Sequence, residues 1–111
     1  MNVINQTKKS ILAESLVIPT SFMDQALGLL TYKTPTAMLF KTRYGIHTFG
    51  MKYPIDIVIL DNQNRVAVLK KAMEQNRIFL WNIKYETVLE LPAGTIEKTK
   101  TQILDIVAIR E

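Results

Sequence analysis

Residues 45–61 read Gly-Ile-His-Thr-Phe-Gly-Met-Lys-Tyr-Pro-Ile-Asp-Ile-Val-Ile-Leu-Asp and concentrate the groups able to do chemistry. The stretch holds the only histidine, His47, and an acid, Asp56, inside the most β-prone run of the chain. If the chain folds back across the turn at residues 50–54, imidazole and carboxylate can meet, as a base with its orienting acid or as part of a metal site. A metal site needs three or four ligands. With one His and no Cys, only carboxylates could complete it, which is poor for zinc and suits a hard cation better. No metal site and no cofactor is therefore assigned. Two more acids, Glu90 and Asp105, also alternate with apolar residues in strand-like runs. Two converging buried acids would raise one pKa by desolvation and like charge, as acid–base catalysis requires. The competing expectation is that each accepts backbone N–H bonds or pairs with a base such as Arg43 or Lys52.

Familiar catalytic signatures are missing. There is no Gly-rich phosphate loop, no dinucleotide fingerprint and no nucleophile elbow. Tyr32, Lys33, Lys41, Arg43, Tyr44, Lys52 and Tyr53 interleave aromatic and basic residues, a pattern that a single-strand nucleic-acid surface would use. The spacing is not diagnostic, and nucleic acid is not the expected partner. The net charge is +4, with six basic against two acidic residues among positions 1–54 and eight against eight among 55–111. Such asymmetry suits an acidic partner or simply solubility. No apolar run reaches the ~20 residues of a membrane span. The N-terminus does not read as a signal peptide, and Cys is absent, so the expected compartment is the cytoplasm.

The elements that must position these residues follow from periodicity. A chain of 111 residues, 48% of them hydrophobic, predicts a single domain over 1–111 with one modest core. Short strands are predicted at Val3–Ile4, Ile11–Ile18, Ala37–Phe40, Ile46–Phe49, Ile55–Leu60, Arg65–Lys71, Thr87–Leu91 and Ile103–Ile109. Residues 61–64, Asp-Asn-Gln-Asn, make a hairpin turn by composition. Residues 72–86 fit neither period and predict an irregular loop with one short strand. A helix is expected at roughly Ser21 to Leu30, and a polar or single helical turn at Thr95–Lys100. The sum is a mainly β (α+β) protein, a compact β-barrel or sandwich of about six to eight short strands with one short helix.

At this point the motifs resemble a known family. Residues 46–61 are similar to the signature of the small bacterial and archaeal family catalogued as domain of unknown function 192. Gly28-Leu29-Leu30 looks like its Gly-Leu-Met, Ala37-Met38-Leu39-Phe40 like its Gly-Met-Leu-Phe, and residues 88–94 like its Val-Leu-Glu-Leu-Pro-Ala-Gly. Ala37 and Leu104 depart from this pattern, each standing where the family usually has Gly. The resemblance implies a compact β-rich fold and supplies no activity. It adds Met51, Lys52, Pro54 and Gly94 to His47, Asp56 and Glu90 as motif positions. The site expected is a pocket lined by His47, Met51, Lys52, Asp56 and Glu90 that binds a small polar molecule or an ion, in a monomer or weak oligomer. The alternatives are an acid–base hydrolase using His47 with Asp56 or Glu90, and an interaction domain using the basic N-terminal half.

Overall fold

The structure, a computed structural model, describes residues 1–18, 36–43, 45–49 and 51–110. Strand β5 (Ile55–Leu60) lies inside the central sheet, and all six of its residues are buried. Its Ile and Val side chains stiffen at χ1 and suit a pleated surface covered on both sides. The antiparallel sheet runs β3 (Met38–Lys41), β8 (Thr87–Pro92), β5, β6 (Val66–Met73). Strands β5 and β6 are joined by a turn that the Asp61 side chain builds. Its Oδ1 accepts the N–H groups of Gln63 and Arg65, both at 2.9 Å. Asn64 adopts φ 61°, a left-handed conformation that Asn tolerates well.

One face of this sheet carries Val58, Leu60, Val66, Leu89 and Leu91. It packs against a three-stranded sheet of β2 (Ser10–Ala13), β1 (Asn2–Asn5) and β9 (Val107–Arg110), through Val3, Leu12 and Val107. Helix α1 (Thr95–Thr99) adds Ile96 to the same layer. The turn into α1 needs φ 94° at Gly94, which explains the glycine of the Leu-Pro-Ala-Gly segment. The other face carries Met38, Phe40, Ile55, Ile57, Ile59, Met73 and Val88. Over it lies a ribbon of β4 (Ile46–His47) and β7 (Ile78–Phe79), with Met51, Tyr53, Trp81 and Tyr85 packed alongside.

The arrangement is mainly β with one short helix among the described residues, and it is a sandwich: those residues do not close the sheets into a barrel. The irregular reading of 72–86 and its one short strand correspond to β7 and its flanks, and the predicted helical turn is α1. Three predicted strands are shorter than their composition suggested, one of them Ile46–Phe49, which is strand only at Ile46–His47. β2 stops at Ala13, and beyond it Val17 makes an isolated bridge to Met38. The run at 103–109 becomes strand only from Val107. Leu104 sits at φ 77°, and the Asp105 carboxylate accepts the Gln102 N–H at 2.9 Å, so a side-chain-built turn interrupts the apolar run. The helix expected at Ser21–Leu30 lies outside the described residues.

Candidate functional site

The register of the central sheet decides what the acids can do. Glu90 pairs with Ile57 on one side and Met38 on the other, so its side chain shares their face. Asp56 pairs with Leu91 and therefore points to the opposite face. The two carboxylates are separated by the thickness of the sheet.

Asp56 is 1% exposed and committed to backbone. Its Oδ1 accepts the Ala72 N–H at 2.8 Å and its Oδ2 the Ile96 N–H at 2.8 Å. Ala72 is held at φ 46° next to the irregularity where β6 slips against β5. Ile96 lies in the first turn of α1, whose cap residue Gly94 offers no side chain. One carboxylate thus satisfies amides that would otherwise be without partners near the core. This is the expectation of backbone N–H acceptance, met at Asp56.

Asp105 is also satisfied. It accepts from Asn5 Nδ2 (2.9 Å), the Gln102 N–H and Lys8 Nζ (3.0 Å), at the junction between the β1–β2 turn and the segment before β9. Burial alone would raise its pKa. The hydrogen bonds from Asn5, Gln102 and Lys8, with the Lys8 charge, hold it below the usual carboxylate value instead. Its partner is Lys8, not one of the bases considered from sequence.

Glu90 differs from both. It is 5% exposed, and no hydrogen bond or ion pair reaches its carboxylate from any described residue. Burial pushes its pKa up to about 7. Its face is apolar, with Met38, Ile57 and the cluster of Met51, Ile55 and Phe40 around it. Tyr53 belongs to the same cluster, and burial together with the Glu90 charge raises its phenol pKa.

The remaining candidates are divided by the ribbon. Met51 is buried in the Glu90-side cluster. Lys52 is exposed. Ile46 packs inward, and its neighbour His47 points out, stacked on Phe49 with ring centroids 5.2 Å apart. His47 Nδ1 accepts the Phe49 N–H at 3.3 Å. The structure therefore brings Met51 onto the Glu90 face and leaves His47, Lys52 and Asp56 elsewhere. Among the described residues, no three His, Asp or Glu side chains gather as metal ligands would.

The sequence assigned Thr48 no role and marked Tyr53 only as part of the aromatic–basic pattern. Thr48 is fully buried; its hydroxyl donates to the Glu74 carbonyl at 2.6 Å and accepts the Arg77 N–H at 2.9 Å. It staples β4, part of the ribbon over the Glu90 face, to the β6–β7 turn. Tyr53 places a phenol beside that face. The signal was present in the polar Thr between aromatic neighbours and in the Tyr-Pro pair, but neither has a period to mark it.

A sandwich whose central sheet buries one carboxylate held by backbone amides on one face, and on the other a carboxyl without a partner among the described residues, is a small β-rich domain. The chain belongs to the DUF192 family, described as an uncharacterised ACR, whose model matches residues 3–109. A UPF0127 protein of Pyrococcus horikoshii is 29% identical over 109 residues, covering 93% of this chain and 94% of its own. One from Thermococcus sibiricus is 30% identical, covering 93% and 71%. Two crystal structures share the fold. A protein of unknown function from Novosphingobium aromaticivorans has a TM-score of 0.81 at 15% identity, covering 97% of this chain and 82% of that one. A candidate transcription regulator from Sinorhizobium meliloti has a TM-score of 0.76 at 14% identity, covering 96% and 89%. Among the described residues no helix is long and apolar enough to cross a membrane.

Proposed function

We propose that this protein is a small-ligand binding module whose contact group is Glu90, with Met51 and the apolar residues of that sheet face lining the site. The observation that carries this reading is an almost fully buried carboxyl with no partner among the described residues. Buried polar groups are normally satisfied, because leaving one unpaired costs about 1–3 kcal/mol. A group kept in that state is available to a ligand. Asp56, by contrast, has both oxygens occupied by backbone. His47 and Lys52 belong to the outer surface and could meet a ligand only at the rim. The Cys-free chain fits a reducing compartment, and we place the protein in the cytoplasm.

The acid–base alternative keeps one supporting observation. A carboxyl with a pKa of about 7 is poised for proton transfer at neutral pH, and Tyr53 is the nearby second titratable group. The pairing of His47 with Asp56 has no such support, since one points outward and the other is held by Ala72 and Ile96.

A thermal-shift screen against cations, metabolites and short oligonucleotides, in the wild type and in Glu90→Gln, tests the binding reading. A saturable ligand raises the melting temperature by mass action. The expected outcome is a shift with one chemical class that Glu90→Gln abolishes. Shifts that persist unchanged in Glu90→Gln would move the site away from this face.

A further inference from the structure

This inference rests on the reading of Glu90 as the binding contact and names what binds there. We propose that the Glu90 site takes a small organic cation, an ammonium or amidinium head on an apolar body. The head donates hydrogen bonds to the Glu90 carboxylate, and the body lies on the sheet face beside Met38, Met51 and Ile57.

The charge surroundings point that way. On the described residues, the groups facing Glu90 from each neighbouring element are almost all neutral. Strand β3 contributes Met38 and Phe40, and β5 contributes Ile55, Ile57 and Ile59. The segment after the ribbon contributes Trp81 and Tyr85, and the segment before β5 contributes Met51 and Tyr53. From β6, Lys70 stands in the same cross-strand row, but Ile57 lies between them, its side chain is exposed, and it makes no ion pair with Glu90. Among the described residues, an ionised Glu90 is therefore a buried negative charge without a counter-charge. An anionic ligand would add like charge in a low-dielectric site. A positive head supplies the missing charge through charge-assisted hydrogen bonds, which are about twice as strong as neutral ones.

The same surroundings favour an organic cation over a metal ion. A hard metal cation takes six or more oxygen ligands, and zinc takes three or four protein ligands. Among the described residues, one carboxyl and one phenol are the titratable groups of the cluster on this side of the sheet, apart from the partly buried Tyr85. An ammonium needs only one good acceptor and an apolar wall. Methionine supplies an adaptable wall, and aromatic faces attract cations. Met38, Met51, Phe40 and Tyr53 provide both.

The test follows the Glu90 side-chain carboxyl by carbon NMR while n-butylammonium chloride, n-butanol, butyramide or sodium butyrate is added to the full chain. The inference expects saturable binding of n-butylammonium only. The titration midpoint of Glu90 should fall, because the cation favours the ionised form. Affinity should weaken at least about tenfold from pH 8 to pH 5.5 as Glu90 takes up its proton. Glu90→Gln should abolish binding, and removing a desolvated charge is not expected to prevent folding. The wild-type titration alone also decides the matter if that variant misbehaves. Binding of butanol or butyramide that perturbs Glu90, without binding of butylammonium, would overturn the organic-cation inference and leave the binding site standing. If no probe perturbs Glu90 at any pH, both the inference and the site reading fail.

Discussion

Asp56 and Glu90 sit on adjacent strands one residue out of register, Asp56 opposite Leu91 and Glu90 opposite Ile57, and so they face opposite sides of the same sheet. The period of two in a strand makes this unavoidable. It gives the two acids different chemistry. One is a fixed acceptor for backbone amides, and the other is a carboxyl without a partner among the described residues.

Glu90 should make the folded protein lose stability as pH rises. Its folded pKa is raised to about 7 from 4.5, so the native state holds a proton that the unfolded chain releases first. The contribution is neutral below about pH 4.5 and unfavourable as pH rises through about 7, where it levels off at about 3 kcal/mol. Denaturant melts from pH 4.5 to 8 check this. Glu90→Gln should flatten that slope and stabilise the protein at pH 8 by roughly 1–3 kcal/mol. A variant that lowers stability at pH 8 would contradict the assignment.

Asp105 should act in the opposite direction. Its folded pKa is depressed, so its stabilisation is present above the ordinary aspartate value and is lost as pH falls through the folded one. Asp105→Asn should blunt acid unfolding below about pH 4. It should also lower stability at pH 7, because Lys8 and Asn5 lose an ionised acceptor. Circular dichroism across an acid titration separates this limb from that of Glu90.

Removing the Asp56 carboxylate should cost more than an ordinary buried substitution. Asp56→Ala leaves the Ala72 and Ile96 amides without acceptors, at about 1–3 kcal/mol each. Asp56→Asn can keep one of the two bonds and should fall between wild type and Ala. Hydrogen exchange should speed up specifically at Ala72 and Ile96. Ligand binding at the Glu90 face should persist in Asp56→Asn.

Thr48→Val keeps the volume and deletes the hydroxyl that joins the Glu74 carbonyl to the Arg77 amide. A loss of about 2 kcal/mol is expected. Its local signature is faster amide exchange at Arg77 and across β4 and β7, without a change at β8. Unchanged exchange at Arg77 would mean that the ribbon is held by packing alone.

Leu104 is the site where a stabilising change is expected. Its side chain is 66% exposed and its φ is 77°, so Leu adopts a left-handed conformation with little packing in return. That conformation costs a non-glycine residue about 1–2 kcal/mol, offset partly by the greater unfolded-state freedom of Gly. Leu104→Gly should raise stability by about 0.5–1 kcal/mol, read from the denaturant midpoint. The conformation also gives a physical reason for the Gly-Asp that the family usually places here.

Much of the fold was legible in the chain. The β-branched run at 55–60 marked a strand buried on both faces, the acid-and-amide turn at 61–64 marked a hairpin, and the breakers Pro92 and Gly94 bounded β8 and α1. These are local signals, carried by side-chain shape and backbone freedom within a few residues. Where locality failed, a distant partner or a single dihedral had intervened. Ile103 and Leu104 look like strand, but the turn closed by Asp105 and Gln102 bends the backbone there. The candidate site shows the same division. The sequence alone determined that Asp56 and Glu90 would be acids inside apolar strands and would need an explanation. Only the tertiary structure decided that Asp56 meets the amides of Ala72 and Ile96, that His47 points outward, and that Glu90 has no partner among the described residues. Burial and pairing depend on register between strands more than 30 residues apart, and one step of register exchanges one face of a sheet for the other.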